Sequence, residues 1–228
     1  MGPVEQEETP MRPSHTEARA LCIVAFEKVF GRAPSRSEAQ LCQAIGFIET
    51  GYGSGWKPPG RGSNNMGAVQ KGSWNGKTFG YQDSRPNDDG TSTKYYIEFR
   101  WYDTPLDGWV DLVKRVYTGG LFSGKVGPYR QTMVLAPASA GDSKAFSEGL
   151  YDTSYYQGFG KNREERVRNH HKQVIAAVRA QAKELKEPLA AFEQEYTGEE
   201  LDALESALGI VTVEYRADYD PSLKFRDT

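Results

Sequence analysis

Apolar residues recur at helical intervals through most of this chain and alternate in few places. Leu21, Val24, Ala25 and Val29 repeat at spacings of three and four, which predicts a first helix with these positions turned inward. It starts at Ser14 or Thr16, since Ser14 and Glu17 have the spacing of a capping box, and it ends at Gly31. After GRAPS the same device returns as Ser35 and Glu38. A second helix follows, with Leu41, Ala44, Ile45 and Ile48 as its apolar positions, and runs through Glu49 to stop at Thr50-Gly51.

Residues 56 to 90 are loop-rich, punctuated by Pro58-Pro59-Gly60, Asn75-Gly76 and Asp89-Gly90. The stretch TSTKYYIEFRWYD, residues 91 to 103, is dense in aromatic and β-branched types and reads as a strand, paired with residues 77 to 83 in a hairpin closed near Pro86 to Gly90. Asp103 or Thr104 caps a third helix with Pro105 at its first position and Leu106, Trp109, Val110, Val113 and Val116 facing inward, ending at Gly119-Gly120. Residues 119 to 141 are rich in Gly and Pro around an apolar VGPYRQTMVLAP. A short helix is expected near Asp142 to Leu150. LYDTSYYQGFGKN then leads into a helix from Asn162, with Glu165 in the capping position and Val167, Val174, Ile175 and Val178 on its apolar face.

Helical periodicity broken by one hairpin predicts a mainly helical α+β domain. Composition shifts after residue 180, where KELKEPLAAFEQEY and TGEELDALESALG precede an alternating IVTVEYRADY. The expected division is a polar leader at 1–13, a folded domain at 14–180 and an appendage at 181–228, in which Pro188 breaks one helical stretch and Thr197 with Glu200 caps another. A lone strand needs a sheet to join, so the appendage is expected to pack on the domain, on a protein partner or on a second copy.

Net charge is −3 with 26% charged residues, a balance that lacks the basic excess needed to grip nucleic acid phosphates. No apolar run approaches the ~20 residues that cross a bilayer, and no signal peptide is visible at the start. Cys22 and Cys42 fall at similar heights in two consecutive antiparallel helices, which suits two small core thiols and also permits a disulfide. The adjacent His170 and His171 point to different sides of their helix, with no Cys, Asp or Glu one turn away on the same face, so no metal is expected.

The stretch ETGYGSGWKPPGRGSNNMGAVQKGSW, from Glu49 to Trp74, has a composition that serves a core poorly. Its glycines pack nothing, and its amides need hydrogen bonds if buried. A carboxylate at a helix C-terminus meets the negative end of the macrodipole, which tends to raise its pKa and suits a general acid. Glycosidic cleavage needs such an acid beside the bridging oxygen, together with a second carboxylate or another means of stabilising the oxocarbenium-like transition state. Glu49 fits the acid. Trp56, Trp74, Tyr81, Tyr95, Tyr96 and Trp101 can floor a groove, while Asn64, Asn65 and Gln70 offer amides to N-acetyl and hydroxyl groups.

The segments LCQAIGFIETGYGSGW, SNNMGAVQKGSWNGKTFGY, YYIEFRWYDTPLDGWVDLV and LYDTSYYQGF resemble the glycoside hydrolase family 73 type of bacterial and phage β-N-acetylglucosaminidase, over roughly residues 16 to 180. The resemblance implies a lysozyme-like α+β fold with a β-hairpin lobe beside a cleft, peptidoglycan as substrate, an extracytoplasmic site of action, and no metal or organic cofactor. It matches Glu49 to the family's general acid, Asn65 and Gly67 to its NNxxG element, and Tyr151 and Tyr156 to its late cleft tyrosines. Met66 stands where the family more often has Leu followed by Phe. The family's second acid is a hairpin Glu, whereas this hairpin reads GYQDSRPNDDGT; Asp83 is the leading candidate, with Asp88, Asp89 and Glu98 as competitors, and substrate assistance by the sugar's acetamido group as the route that needs none. A muramidase, a lytic transglycosylase using Gly67-Ala68-Val69-Gln70, and a non-catalytic glycan-binding or structural module are the alternatives.

Overall fold

The computed structural model describes residues 13–86, 92–119, 127–156 and 158–188. The expected leader, the hairpin tip with Asp88 and Asp89, and the appendage from 189 onward lie outside the described residues. The elements in chain order are α1 (His15–Phe30), α2 (Arg36–Thr50), β1 (Thr78–Pro86), β2 (Ser92–Arg100), α3 (Pro105–Thr118), α4 (Gly127–Arg130), a π-helical turn (Gln131–Leu135), α5 (Ala136–Ala140), α6 (Ser143–Asp152) and α7 (Arg163–Leu185). The fold is therefore α+β and mainly helical, with one two-stranded antiparallel sheet among the described residues.

Local chemistry explains the helix ends. Ser14 with Glu17, and Ser35 with Glu38, form reciprocal capping boxes, so two orphan amides are satisfied at each start. Gly31 and Gly51 take the left-handed conformation that closes α1 and α2. Thr104 caps α3 through the Asp107 amide with Pro105 in the first turn, and Asn162 caps α7 through the Glu165 amide.

Helix α2 is the central post of the core. It is buried on nearly every side, packed by α1, α3, α5 and α7. Gly46 makes the crossing with α3 this close, because a Cβ there would stand 3.0 Å from both Leu112 Cδ2 and Trp109 Cη2. Its first turn is tied down as well. The fully buried Glu38 carboxylate receives two guanidinium hydrogen bonds from Arg32 at 2.8 Å, and its carbonyl accepts the Tyr117 hydroxyl at 2.6 Å. Cys22 and Cys42 are free thiols, both buried in this core.

Four expectations shift in detail. In α1 the deepest positions are Ala18, Cys22, Ala25 and Phe26, while Leu21, Val24 and Val29 are half-buried, because α2, α3 and α7 contact the helix from different sides. The strand expected over 91–103 ends at Arg100, where the chain turns toward the α3 cap and the Arg100 side chain inserts against Asp111 at 3.0 Å. The stretch from Gly127 to Pro137 is helical. Pro137 lacks an amide hydrogen and its ring would collide with the Met133 carbonyl in a regular helix, and the five π-helical residues just before it absorb the misfit. Helix α7 passes the boundary expected at 180 and stops at Leu185, with Lys186 left-handed and Pro188 beyond.

The hairpin pairs Thr78 with Arg100 through Pro86 with Ser92. Phe79 and Phe99 stack opposite one another at 5.7 Å, and Trp56 wedges against both and against Tyr81. This aromatic knot is the small core of the lobe. Arg100–Asp111, and the Tyr102 hydroxyl donating to the same carboxylate, fasten the lobe to α3.

Candidate active site

Glu49 is the penultimate residue of α2 and is partly buried. Burial raises its carboxyl pKa from 4.5 to about 7, and the positive charge of Arg115 on α3 opposes the rise. Near pH 7 the group therefore holds its proton about half the time, as a general acid requires.

Two groups missed by sequence reasoning act on this carboxyl, and a third supports them. Arg115 comes from α3. Tyr155, in the loop after α6, has a phenol pushed well up by burial and next by the Glu49 charge, and its hydroxyl finds no hydrogen-bond partner among the described residues. Arg130 lies over the Tyr155 ring at 5.4 Å and donates to the carbonyls of Arg115, Val116 and Thr153, so one buried cation caps the ends of α3 and α6. Only the SYY doublet hinted at Tyr155; motif matching selects its neighbour Tyr156.

The loop from Gly51 to Gln70 joins the acid to the lobe. The Thr50 hydroxyl donates to the Met66 carbonyl at 2.7 Å and accepts the Gly53 amide at 2.8 Å. The Trp56 indole donates to the Asn65 carbonyl at 2.9 Å, so its ring is both lobe core and loop anchor. Asn65 is fully buried; its amide donates to the Val69 and Arg100 carbonyls and accepts the Val69 amide, which leaves it bracing backbone. Asn64, with φ +52°, donates to the Tyr102 carbonyl. Gly67 lets this loop touch α3, since a Cβ there would lie 2.6 Å from Leu112 Cδ1. Gln70 is exposed and bridges Phe99 through its backbone.

Other expected groove residues fall into two groups. On the lobe, Trp74 faces Arg100 and Tyr102, Tyr81 meets the edge of Trp56, and Trp101 lies 4.0 Å beneath the Lys77 ammonium. Tyr95 and Tyr96 are exposed at 38% and 72%. On the helical side, Tyr151 contacts Tyr156 edge-on, while Tyr156 stacks on His170 at 3.8 Å and its hydroxyl donates to the Ser147 carbonyl. Tyr156 is thus held inward, as a support for Tyr151.

Among second-acid candidates, Glu98 is joined to Lys71 at 2.7 Å and also accepts from Thr78, and its pKa is lowered chiefly by the Lys71 hydrogen bond. Asp83 pairs with Tyr95 in the ladder, and its side chain lies outside the described residues. His171 accepts or donates with the Ser143 hydroxyl at 2.8 Å, and among the described residues no three His, Cys, Asp or Glu side chains gather as a metal site.

Neither a family model nor a curated relative matches the chain. Among solved structures it is similar to a mutant peptidoglycan hydrolase from Sphingomonas sp. A1, with TM-score 0.50 and 19% identity over 74% of this chain and 98% of that one. Further likenesses are to the truncated glycoside hydrolase domain of FlgJ from Salmonella typhimurium (TM-score 0.45, 17% identity, 75% and 98% covered) and the catalytic domain of the autolysin Auto from Listeria monocytogenes (0.46, 12%, 92% and 98%). The likeness to the Sphingomonas hydrolase, at 19% identity, is one of fold.

Proposed function

We propose that this chain is a peptidoglycan hydrolase that cleaves β-1,4 glycosidic bonds of the glycan strand, acting as an endo-β-N-acetylglucosaminidase of the glycoside hydrolase family 73 type outside the cytoplasm. The observation that carries the proposal is the Glu49 carboxyl, held near a helix end with its pKa raised to about 7, in a chain whose next loop leads to an aromatic lobe. A protonated acid in that setting donates to the bridging oxygen as the bond breaks. Trp74, Tyr81 and Trp101 supply ring faces for the sugars, Asn64, Gln70 and Tyr151 supply polar or aromatic edges, and Trp56, Asn65, Gly67 and Tyr156 keep the walls in place.

Asp83 is the candidate for the second carboxylate. The Glu98–Lys71 pair favours a specific rival, because it commits one hairpin acid to a cation and leaves room for a route without a second carboxylate, either substrate assistance or lytic transglycosylation. Digestion of purified cell walls tests both readings. Glu49→Gln is expected to abolish loss of turbidity while still sedimenting with walls, and undiminished lysis rejects the acid. Mass spectrometry of the muropeptides then reads the bond: reducing-end N-acetylglucosamine supports the glucosaminidase, reducing-end N-acetylmuramic acid indicates a muramidase, and 1,6-anhydro ends indicate the transglycosylase.

A further inference from the structure

Three consecutive residues directly after α2 are left-handed: Gly51 at φ +56°, Tyr52 at +60° and Gly53 at +80°. The two glycines adopt this freely. Tyr52 does not, since a Cβ makes that region costly, and such a residue persists where its surroundings over-determine it. Those surroundings are on view. Tyr52 is 2% exposed, its ring contacts Phe47, His15 and Trp109 at 5.3 to 5.8 Å, and its hydroxyl sits 2.6 Å from His15 Nδ1 while accepting from Gln43 Nε2 at 3.0 Å.

The hydrogen bonds continue far beyond the turn. Gln43 Nε2 also donates to the His15 carbonyl at 2.8 Å, and its Oε1 accepts from Arg19 Nε. Arg19, wholly buried, reaches Glu187 just past the end of α7 at 2.7 Å, where Gln40 also donates at 3.3 Å. The Glu184 carboxylate accepts the His15 amide at 3.0 Å. A charge-assisted chain thus runs from the last turn of α7, across the start of α1, to the turn three residues beyond Glu49. Burying polar groups is costly where they lack partners, and the hydrogen bonds that this chain does make favour one geometry.

We infer that Tyr52, Gln43, Arg19 and Glu187 are positioning residues for Glu49, clamping the end of α2 so that the carboxyl stays out of bulk water and at one reach from the scissile oxygen. The inference rests on the proposed role of Glu49. Slackening the clamp lets the last turn of α2 fray, hydrates the carboxyl and misplaces it. The other charged or titratable groups acting on Glu49 are Arg115 of α3 and Tyr155 after α6, and the test leaves both in place.

The test compares Tyr52→Phe and Glu187→Gln with the unmodified chain on soluble peptidoglycan fragments, well below each melting temperature. Tyr52→Phe keeps the ring and removes the hydroxyl; Glu187→Gln removes the charge at the distant end. Both are expected to lower kcat by on the order of ten- to a hundredfold with KM unchanged, the size that about an ångström of misplacement costs. Both are also expected to move the alkaline limb of the pH–rate profile downward, toward the ordinary carboxyl range. A limb that stays put, with kcat reduced only in proportion to the unfolded fraction, overturns the inference. Glu49→Gln is run alongside: an inactive Glu49→Gln with unmoved limbs in the other two rejects the clamp alone, whereas an active Glu49→Gln rejects the acid beneath it. Should Tyr52→Phe fail to fold, Glu187→Gln, whose carboxylate is 10% exposed, decides the matter by the same limb.

Discussion

Removing the Glu49 charge is expected to stabilise the protein, and to do so only at the pH values where the carboxylate would be ionised. The folded chain holds the carboxyl at about 7 against an ordinary 4.5, so between these values the folded state binds more protons than the unfolded one. Stability due to this group is complete below 4.5, falls as pH rises, and has been lost by the time pH passes 7. The gap corresponds to at most about 3 kcal/mol, less whatever the solvent-facing edge of the side chain screens. Glu49→Gln cannot ionise and pays nothing. Urea denaturation of both proteins at pH 4, 6 and 8 should therefore show a difference that grows across the series by about 1 to 3 kcal/mol, with unchanged m-values. In the unmodified enzyme, kcat/KM should fall about tenfold per pH unit above 7, as the acid loses its proton. A Gln variant whose stability differs by the same amount at every pH would show that burial does not raise this carboxyl, and the reasoning for the acid would go with it.

His170 is buried, stacked on Tyr156, and its ring nitrogens find no partner among the described residues; burial first, and the neighbouring His171 next, lower its pKa from 6.5 to about 3. Because the unfolded chain takes up this proton first, acid should destabilise the fold progressively below pH 6.5, by up to roughly 4 kcal/mol near pH 3, and His170→Phe should flatten the melting temperature over that window. Gly108→Ala would place a Cβ 1.8 Å from the Asn64 carbonyl oxygen, forcing loop and α3 apart; a loss of about 1 to 3 kcal/mol by denaturation, with weaker sedimentation on cell walls, is expected, and an unshifted midpoint would refute the contact. Tyr155→Phe should leave stability within about 1 kcal/mol, since its hydroxyl bonds nothing in the described fold, yet lower kcat if that hydroxyl is kept for substrate; equal kcat would assign the phenol to packing alone.

Much of the helical frame was legible because its signals are local. Capping pairs at Ser14 and Ser35, Pro105 after Thr104, and terminal glycines at 31, 51 and 119 each act within one turn, and the structure uses all of them. Glu49 at a helix end was legible for the same reason. The inward face of α1 was not, since three neighbours bury it and apolar spacing alone cannot rank them. The helical stretch from Gly127 to Pro137 was hidden by Pro137, a breaker whose cost is absorbed by a π turn that periodicity does not reveal. Arg115 and Tyr155 were invisible because their meaning lies in being brought to Glu49 from separate segments, and Arg130 because it is brought to Tyr155. Residue type alone suggests Asn65 as a sugar ligand; its complete burial and three backbone hydrogen bonds give it a bracing part that arises only in the fold.

The same burial that raises the Glu49 pKa explains the polar residues inside α2. A helix packed on nearly all sides cannot end in water, so its carboxyl is desolvated by position and its interior faces need Gln40 and Gln43 to satisfy groups arriving from α1 and α7. An all-apolar α2 would pack as well, but it would carry no hydrogen bond to the Tyr52 turn and would leave the helix end free to fray. The lobe has its own fastening in Arg100 and Tyr102 on Asp111, one turn of α3 before Arg115. Helix α3 therefore carries both the anchor of the lobe and the cation beside Glu49. Asp111→Asn, which keeps the hydrogen-bonding shape but removes the charge opposite Arg100, should raise KM for long glycan strands more than for short ones. A uniform change across strand lengths would place the effect at Glu49 instead of along the groove.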